Sequence, residues 1–341
     1  MSLAVALLAA LLAFVVDALE RRAFRALGAC AIAALAIAGS GAWLRGEEWT
    51  TESGAPLAVS LVQGNIAQDL KFDPGFRERT FTIYQDLAQA SRGRLVVFPE
   101  STFPMFADDV PDEVVAGLAH IARSRNGELL FGVFLVEEPA RDGEDPRIYN
   151  SVVSVGTQRT NLYRKRHLVP FGETIPAKPL VGWVMRNVLS IPIGDQTPGP
   201  PGQAPFRVGD ELVAVNICYE DAFGDELRDA ARDATLLVNV TNDAWYGRSI
   251  AARQHNQIAA MRALELGRPM LRATNTGITS AIDHRGRVIA DLPWFTRGVL
   301  EVSIAGRRGE TPYLRYGDGV ALAAAALVLV LSIAARRRQL A

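Results

Sequence analysis

Three uncharged apolar stretches at the two ends of the chain limit its fold more than any other feature. Residues 1–16 carry no charge, residues 26–44 carry none over 19 positions, and residues 319–335 carry none over 17. A helix needs about 20 apolar residues to cross a bilayer, within a range of roughly 17–25. The second stretch meets that length, the third sits at its lower edge, and the first falls just short. Arg21, Arg22 and Arg25 separate the first two stretches, and Arg336, Arg337 and Arg338 follow the last. Positive flanks stay on the cytoplasmic side. Applied at both ends, that rule gives a multi-pass protein of the cytoplasmic (inner) membrane. Residues 1–45 supply one or two spans, 318–336 a C-terminal transmembrane helix, and the domain between faces outward. A cleavable signal peptide over 21–40, cut near "AIAGSGA", is the alternative, and it leaves the same domain outside.

The net charge of −1 gives nucleic acid no electrostatic footprint to bind. Only two cysteines occur, and Cys30 lies inside the second apolar stretch, where it cannot bridge to Cys218 of the outer domain. Cys218 is therefore a free thiol in an oxidising compartment.

Within 55–310, periodicity predicts strands at 57–63, 95–98, 128–136 and 151–155, with helices at 76–90 and 112–124. The polar run "EEPARDGEDPRIYN" reads as the loop between the third and fourth strands. The order recurs downstream: strands at 212–217, 235–240, 270–275, 279–283 and 288–291, with helices at 224–232 and 251–266. Continuous apolar strands alternating with amphipathic helices are buried on both faces, so two such halves pack sheet against sheet with helices outside.

Three charged segments stand where predicted strands end. "VVFPES" carries Glu100 behind Pro99, which stops the pairing; "YRKRHLVPFGE" carries Lys165, His167 and Glu173; "NICYED" carries Cys218, Tyr219 and Glu220. Strand ends at one sheet edge converge, so Glu100, Lys165 and Cys218 can share a pocket. A thiol with an ordinary pKa near 8.5 needs a base or cation beside it to attack at neutral pH. Glu100 has the chemistry to take and return its proton, and Lys165 with the Tyr219 N–H to face an oxyanion. Each residue alone also has a plainer reading: a buried hydrophobe, a turn cap, a solvated basic patch. A Cys–His pair through His167 or His255 is the competing mechanism. Four scattered histidines without HExxH or CxxC spacing give no metal site.

"VFPES", "KRHLVPFGE" and "ICYED" resemble the Glu, Lys and Cys motifs of the nitrilase superfamily, in that family's order. "LVQGNIAQDLKFDP", "TPYLRYGD" and the long run from Asn239 to Ile282 narrow the resemblance to the apolipoprotein N-acyltransferase family over most of 57–318. The resemblance implies an α/β fold, a nitrilase-like α-β-β-α sandwich flanked by transmembrane helices, with Glu100, Lys165 and Cys218 as catalytic triad. It implies Glu173, Tyr219 and Glu220 as supporting residues. It further implies acyl transfer from membrane phospholipid, through a Cys thioester, to the N-terminal amine of a diacylglyceryl-modified apolipoprotein, without cofactor or metal. A membrane-tethered amidase acting on a small carbon–nitrogen substrate is the alternative.

The family commonly carries Trp where this chain has Phe72 after "LK", and a longer membrane region, which leaves room for a separate membrane subunit. Residues 179–194, with Trp183, read as an interfacial arm, while "STFPMF" (101–106), Trp245 and Tyr246 are expected to line an acyl pocket.

Overall fold

The computed structural model describes residues 2–139, 145–174 and 196–340. It divides into two compact units: Thr50–Arg315, and the two chain ends, Met1–Trp49 with Tyr316–Ala341. In the terminal unit, α1 (Ser2–Glu20) and α2 (Phe24–Leu44) meet at a tight turn where Arg22 takes a φ of 52°. Among the described residues, α2 is the one helix long and apolar enough to cross a membrane by length and composition. The apolar stretch of the C-terminal helix, Gly319–Ala334, is shorter.

The central unit is built on two six-stranded sheets. One contains β2 (Leu57–Gln63), β3 (Leu95–Val97), β4 (Glu128–Glu137), β5 (Arg147–Gly156), β6 (Leu162–Arg164) and the returning β13 (Gly298–Ile304), in the order β13-β2-β3-β4-β5-β6. The other contains β7 (Phe206–Val208), β8 (Glu211–Ile217), β9 (Leu236–Thr241), β10 (Met270–Thr274), β11 (Ser280–Ile282) and β12 (Val288–Asp291), in the order β12-β11-β10-β9-β8-β7. Each has three parallel strands at its centre, β2-β3-β4 and β8-β9-β10, with antiparallel partners at both sides. The two halves thus repeat one topology, as the recurring pattern implies. A small antiparallel ladder of β1 (Thr50–Glu52) and β14 (Arg307–Gly309) ties the beginning of the unit to its end.

The layering follows from side chains alternating across each strand. Leu61, Val97, Leu130, Val215, Val238 and Leu271 point inward and form one core between the sheets. Val62, Val96 and Leu129 point outward beneath α4 (Arg77–Ala90) and α5 (Asp112–Ser124). Ala214 and Leu237 do the same beneath α6 (Gly224–Arg232) and α7 (Ala251–Leu266). Both faces of every central strand are apolar, which is why these strands read as unbroken runs. The result is an α-β-β-α sandwich.

Two local expectations need correction. Strand β5 starts at Arg147, inside the run read as loop, because it pairs with β4 as far as Glu137↔Arg147. Ten residues of antiparallel ladder outweigh local turn signals. Of "STFPMF", Phe103 and Met105 belong to the core under α4 and α5, and Ser101 alone is found at the cavity described below.

Candidate active site

The carboxyl ends of the parallel strands lie at one edge of the sandwich, the usual place for a crevice in such sheets. There β8 runs into a 3-10 turn, Cys218–Ala222, and Cys218 itself takes a φ of 56°. An L-residue in this left-handed region costs about 1–3 kcal/mol and persists only where its surroundings fix it. They do so here. The Cys218 carbonyl accepts hydrogen bonds from Asn239 Nδ2 at 2.8 Å and His255 Nε2 at 3.2 Å, and the Glu220 carboxylate accepts from the Ile217 N–H at 2.6 Å. A sharp strand-to-turn elbow of this kind lifts a nucleophile clear of its own strand.

From the other sheet, β3 ends at Val97 and the chain turns at Pro99 to place Glu100, followed by Ser101 at a φ of 46°. Glu100 is buried, and both its oxygens are held. Oε1 accepts from Asn150 Nδ2 at 2.8 Å and Lys165 Nζ at 3.2 Å, and Oε2 accepts from the Asn242 N–H at 3.0 Å. Lys165 follows β6 and extends its ladder, its N–H reaching the Asn150 carbonyl at 2.8 Å. The ammonium also donates to Glu173 Oε1 at 2.7 Å, while Glu173 Oε2 accepts from the Val169 N–H at 2.8 Å. Lys165 is 1% exposed, so its charge is compensated by these two carboxylates rather than by water.

The electrostatics assign protonation states. Burial pushes the Cys218 thiol well above its ordinary value and Glu100 adds to that, while Lys165 opposes. The resting group is a neutral thiol that needs a base. Burial works against the Lys165 charge, yet the Glu100 and Glu173 carboxylates more than offset it and hold the amine above the ordinary lysine range. Lys71, at the end of the short helix α3 (Gln68–Lys71), donates to the Glu100 carbonyl at 3.0 Å. Burial lowers its pKa to about 8 against the attraction of Glu100.

A cavity of about 310 Å³ opens over this group. Glu100, Asn150, Glu173 and Cys218 supply its polar side, and Phe72, Phe134, Val169 and Trp245 an apolar one. Tyr246 lines it as well. Phe72, Trp245 and Tyr246 are all exposed, which puts them at the rim.

Of the residues singled out from sequence, Glu100, Lys165, Glu173 and Cys218 come together, with Phe72 and Trp245 at the same cavity. Tyr219 and Glu220 do not line it. Tyr219 donates its hydroxyl to the Leu168 carbonyl at 2.7 Å and turns its ring toward Lys165, 5.9 Å from Nζ. Burial pushes that phenol up to about 12, so it stays neutral. Glu220 accepts from the N–H groups of Arg166, His167 and Ile217 and from Tyr163 Oη, stitching the Lys165 segment to the Cys218 strand. His167 stacks on Phe223 with ring centroids 3.5 Å apart, and His255 meets the Cys218 carbonyl, so both histidines are engaged away from the thiol. Trp183 and the 179–194 arm lie outside the described residues.

Asn150, Asn242 and Lys71 escaped notice in the sequence. None carried a local signal, and Asn150 ends the run read as loop.

Solved structures of the nitrilase superfamily share this fold. The C. elegans NitFhit protein superposes with a TM-score of 0.52 at 17% identity, covering 74% of this chain and 61% of its own. A Nesterenkonia amidase of that superfamily gives 0.51 at 19%, covering 77% and 94%. The carbon-nitrogen hydrolase family pattern matches residues 32–313, and the chain belongs to that family. Curated relatives narrow the similarity. The apolipoprotein N-acyltransferase of Nitrosomonas europaea is 49% identical over 282 residues, 83% of this chain and 56% of the relative. That of Ralstonia nicotianae is 41% identical over 341 residues, 98% of this chain and 63% of the relative. The chain therefore spans about six-tenths of the length of these relatives.

Proposed function

We propose that this chain transfers a fatty acyl group from a membrane phospholipid to the N-terminal amine of diacylglyceryl-cysteine in apolipoproteins, a step of lipoprotein maturation. Glu100 takes the Cys218 proton as sulfur attacks the phospholipid ester. The C–S bond forms, the C–O bond breaks, and Glu100 returns the proton to the departing lysophospholipid. The acceptor amine then attacks the thioester, an amide forms, and the proton passes through Glu100 back to sulfur. Lys165 and the Tyr219 N–H face the oxyanion in both steps. Glu173 holds Lys165, and Glu220 keeps the Lys165 and Cys218 segments in register. Phe72, Trp245 and the arm around Trp183 receive the acyl chain, and the apolar wall keeps water from the thioester.

The observation that carries this reading is the doubly held Glu100 carboxylate on the wall that also presents Cys218, in a chain whose curated relatives are named apolipoprotein N-acyltransferase. Helix α2, with the positive residues before it, supports anchoring in the inner membrane with Thr50–Arg315 on the periplasmic face. Intact mass measurement after incubation with phospholipid vesicles tests the proposal. An acyl adduct is expected on Cys218 and none in Cys218→Ala. Hydrolysis of small amides without any adduct from phospholipid would instead make the chain a tethered amidase.

A further inference from the structure

Arg272 of β10 is fully buried, and no step of the proposed chemistry uses it. Its Nη1 lies 3.6 Å from Asp221 Oδ2 and its Nη2 3.7 Å from Asp243 Oδ2. His255 faces the other oxygen of each: Nε2 meets Asp221 Oδ1 at 3.2 Å and Nδ1 meets Asp243 Oδ1 at 3.0 Å. With acceptors at both nitrogens, the imidazole carries two N–H groups and a positive charge. Two carboxylates and two cations thus alternate in a closed ring whose charges sum to zero. Asp221 belongs to the turn of Cys218, and Asp243 adjoins Asn242, whose N–H holds Glu100. His255 Nε2 also meets the Cys218 carbonyl at 3.2 Å, so the ring touches the backbone of the nucleophile itself.

The two cations enter this ring differently. His255 makes hydrogen bonds, whereas none of the three Arg272 side-chain nitrogens makes one among the described residues. Separations of 3.6 and 3.7 Å are too long for hydrogen bonds but close for opposite charges in a buried site. What Arg272 supplies is therefore charge, not direction. That charge bears on the sulfur. Burial and Glu100 raise the Cys218 thiol and Lys165 lowers it; from its own sheet, Asp243 raises it further. As Glu100 draws the proton, negative charge passes from the carboxylate to a sulfur that Asp243 already repels. Without Arg272, two carboxylates would face a single imidazolium, and the excess negative charge would resist that transfer. We propose that Arg272 is a positioning residue for Cys218 that acts by charge: it cancels the second carboxylate of the ring, so that negative charge can settle on sulfur. The assignment rests on Cys218 as the nucleophile of the proposed transfer.

The test measures alkylation of Cys218 by iodoacetamide in the full chain at a pH of about 8. There most of His255 keeps its proton, and peptide mapping separates Cys218 from Cys30. Arg272→Met leaves the ring one negative charge in excess, and alkylation should slow about tenfold. Asp243→Asn leaves it one positive charge in excess, and alkylation should quicken about tenfold. In the double variant the ring is neutral again, and the rate should return to within a few-fold of wild type. Arg272→Lys keeps the charge and should do the same. Acyl loading of Cys218 from a p-nitrophenyl fatty acyl ester should follow the same order. Opposite shifts that cancel are the signature of charge, whereas loss of a mechanical brace would slow every variant and the double most. A double variant that folds yet stays slow, or an Asp243→Asn protein no faster than wild type, overturns the assignment. If Arg272→Met does not fold, those two variants still decide. Alkylation needs no lipid, so its outcome is separate from the phospholipid adduct that tests the transfer itself.

Discussion

Glu100 is held by an ammonium, an amide and a backbone N–H, and each contact does different work. The amide and N–H fix where the carboxylate points; the ammonium pairs it with a positive charge. Because burial holds the Cys218 thiol neutral, loss of the base should be felt in acylation first. Glu100→Gln and Lys165→Met are each expected to slow acyl-enzyme formation by roughly 10²–10⁴-fold, the usual contribution of a positioned proton acceptor. Stopped-flow release of p-nitrophenol reads that step directly. His167→Ala should stay within a few-fold of wild type in the same assay, since its ring stacks on Phe223; a collapse equal to that of Glu100→Gln would revive the Cys–His alternative. Glu100 and Cys218 were legible in the sequence because strand ends mark themselves, an apolar run stopping where a charge or thiol follows; Lys165 follows a three-residue strand, Leu162–Arg164, that periodicity does not show. Asn150 was not legible, because it enters the site through a long-range pairing, Phe134↔Asn150, that no local window contains.

At the scale of elements, the site depends on how closely β4 approaches the Glu100 turn. A Cβ on Gly132 would lie 2.3 Å from the Ser101 backbone nitrogen and 2.9 Å from the Glu100 carbonyl carbon. Gly132→Ala must therefore push the turn that carries Glu100 off β4. A loss of activity exceeding tenfold is expected, together with destabilisation of about 1–3 kcal/mol measured by chemical denaturation. Beneath the Cys218 elbow, α7 contributes His255, whose Nδ1 meets Asp243 Oδ1 at 3.0 Å and whose Nε2 meets Asp221 Oδ1 and the Cys218 carbonyl, each at 3.2 Å. Only acceptors face either nitrogen, so the ring is an imidazolium. Burial and Arg272 oppose that charge, but Asp221 and Asp243 outweigh them and raise the pKa to about 9. A group raised above its unfolded value near 6.5 contributes stability that is complete below that pH and vanishes as pH climbs through the folded value. The melting temperature of the wild type should therefore fall between pH of about 6.5 and 9 relative to His255→Gln. Parallel curves for the two proteins would mean that His255 is neutral. The helix bearing His255 was legible from its periodicity; the partners were not, since Asp221, Asp243 and Arg272 come from three other elements.

For the whole molecule, the division at Trp49 and Tyr316 separates the two-sheet unit from the apolar terminal helices proposed to anchor it. The small ladder Thr50–Glu52 with Arg307–Gly309 closes the catalytic unit on itself, so a chain cut to Thr50–Arg315 keeps its own seam. Such a chain should still load Cys218 from a water-soluble ester at a rate within a few-fold of the full protein. Its use of phospholipid in vesicles should drop by far more, because lipid must now be met from solution. Equal retention of both rates would show that the terminal helices play no part in lipid access. The sheet-on-sheet architecture itself was readable from the twice-repeated element order, since buried parallel strands have few other ways to hide both faces.

The proposed base and nucleophile come from opposite sheets. Glu100 and Lys165 belong to the first half of the chain and Cys218 to the second, and Glu220 spans the seam through Tyr163 and Ile217. Separated from Glu100 and from the burial that raises its pKa, Cys218 would titrate as an ordinary thiol. Joining the two sheets thus does two things to the sulfur at once: it hides the thiolate and brings up the carboxylate proposed to draw its proton away. The proposed chemistry therefore belongs to the interface, and neither half of the repeat carries it alone.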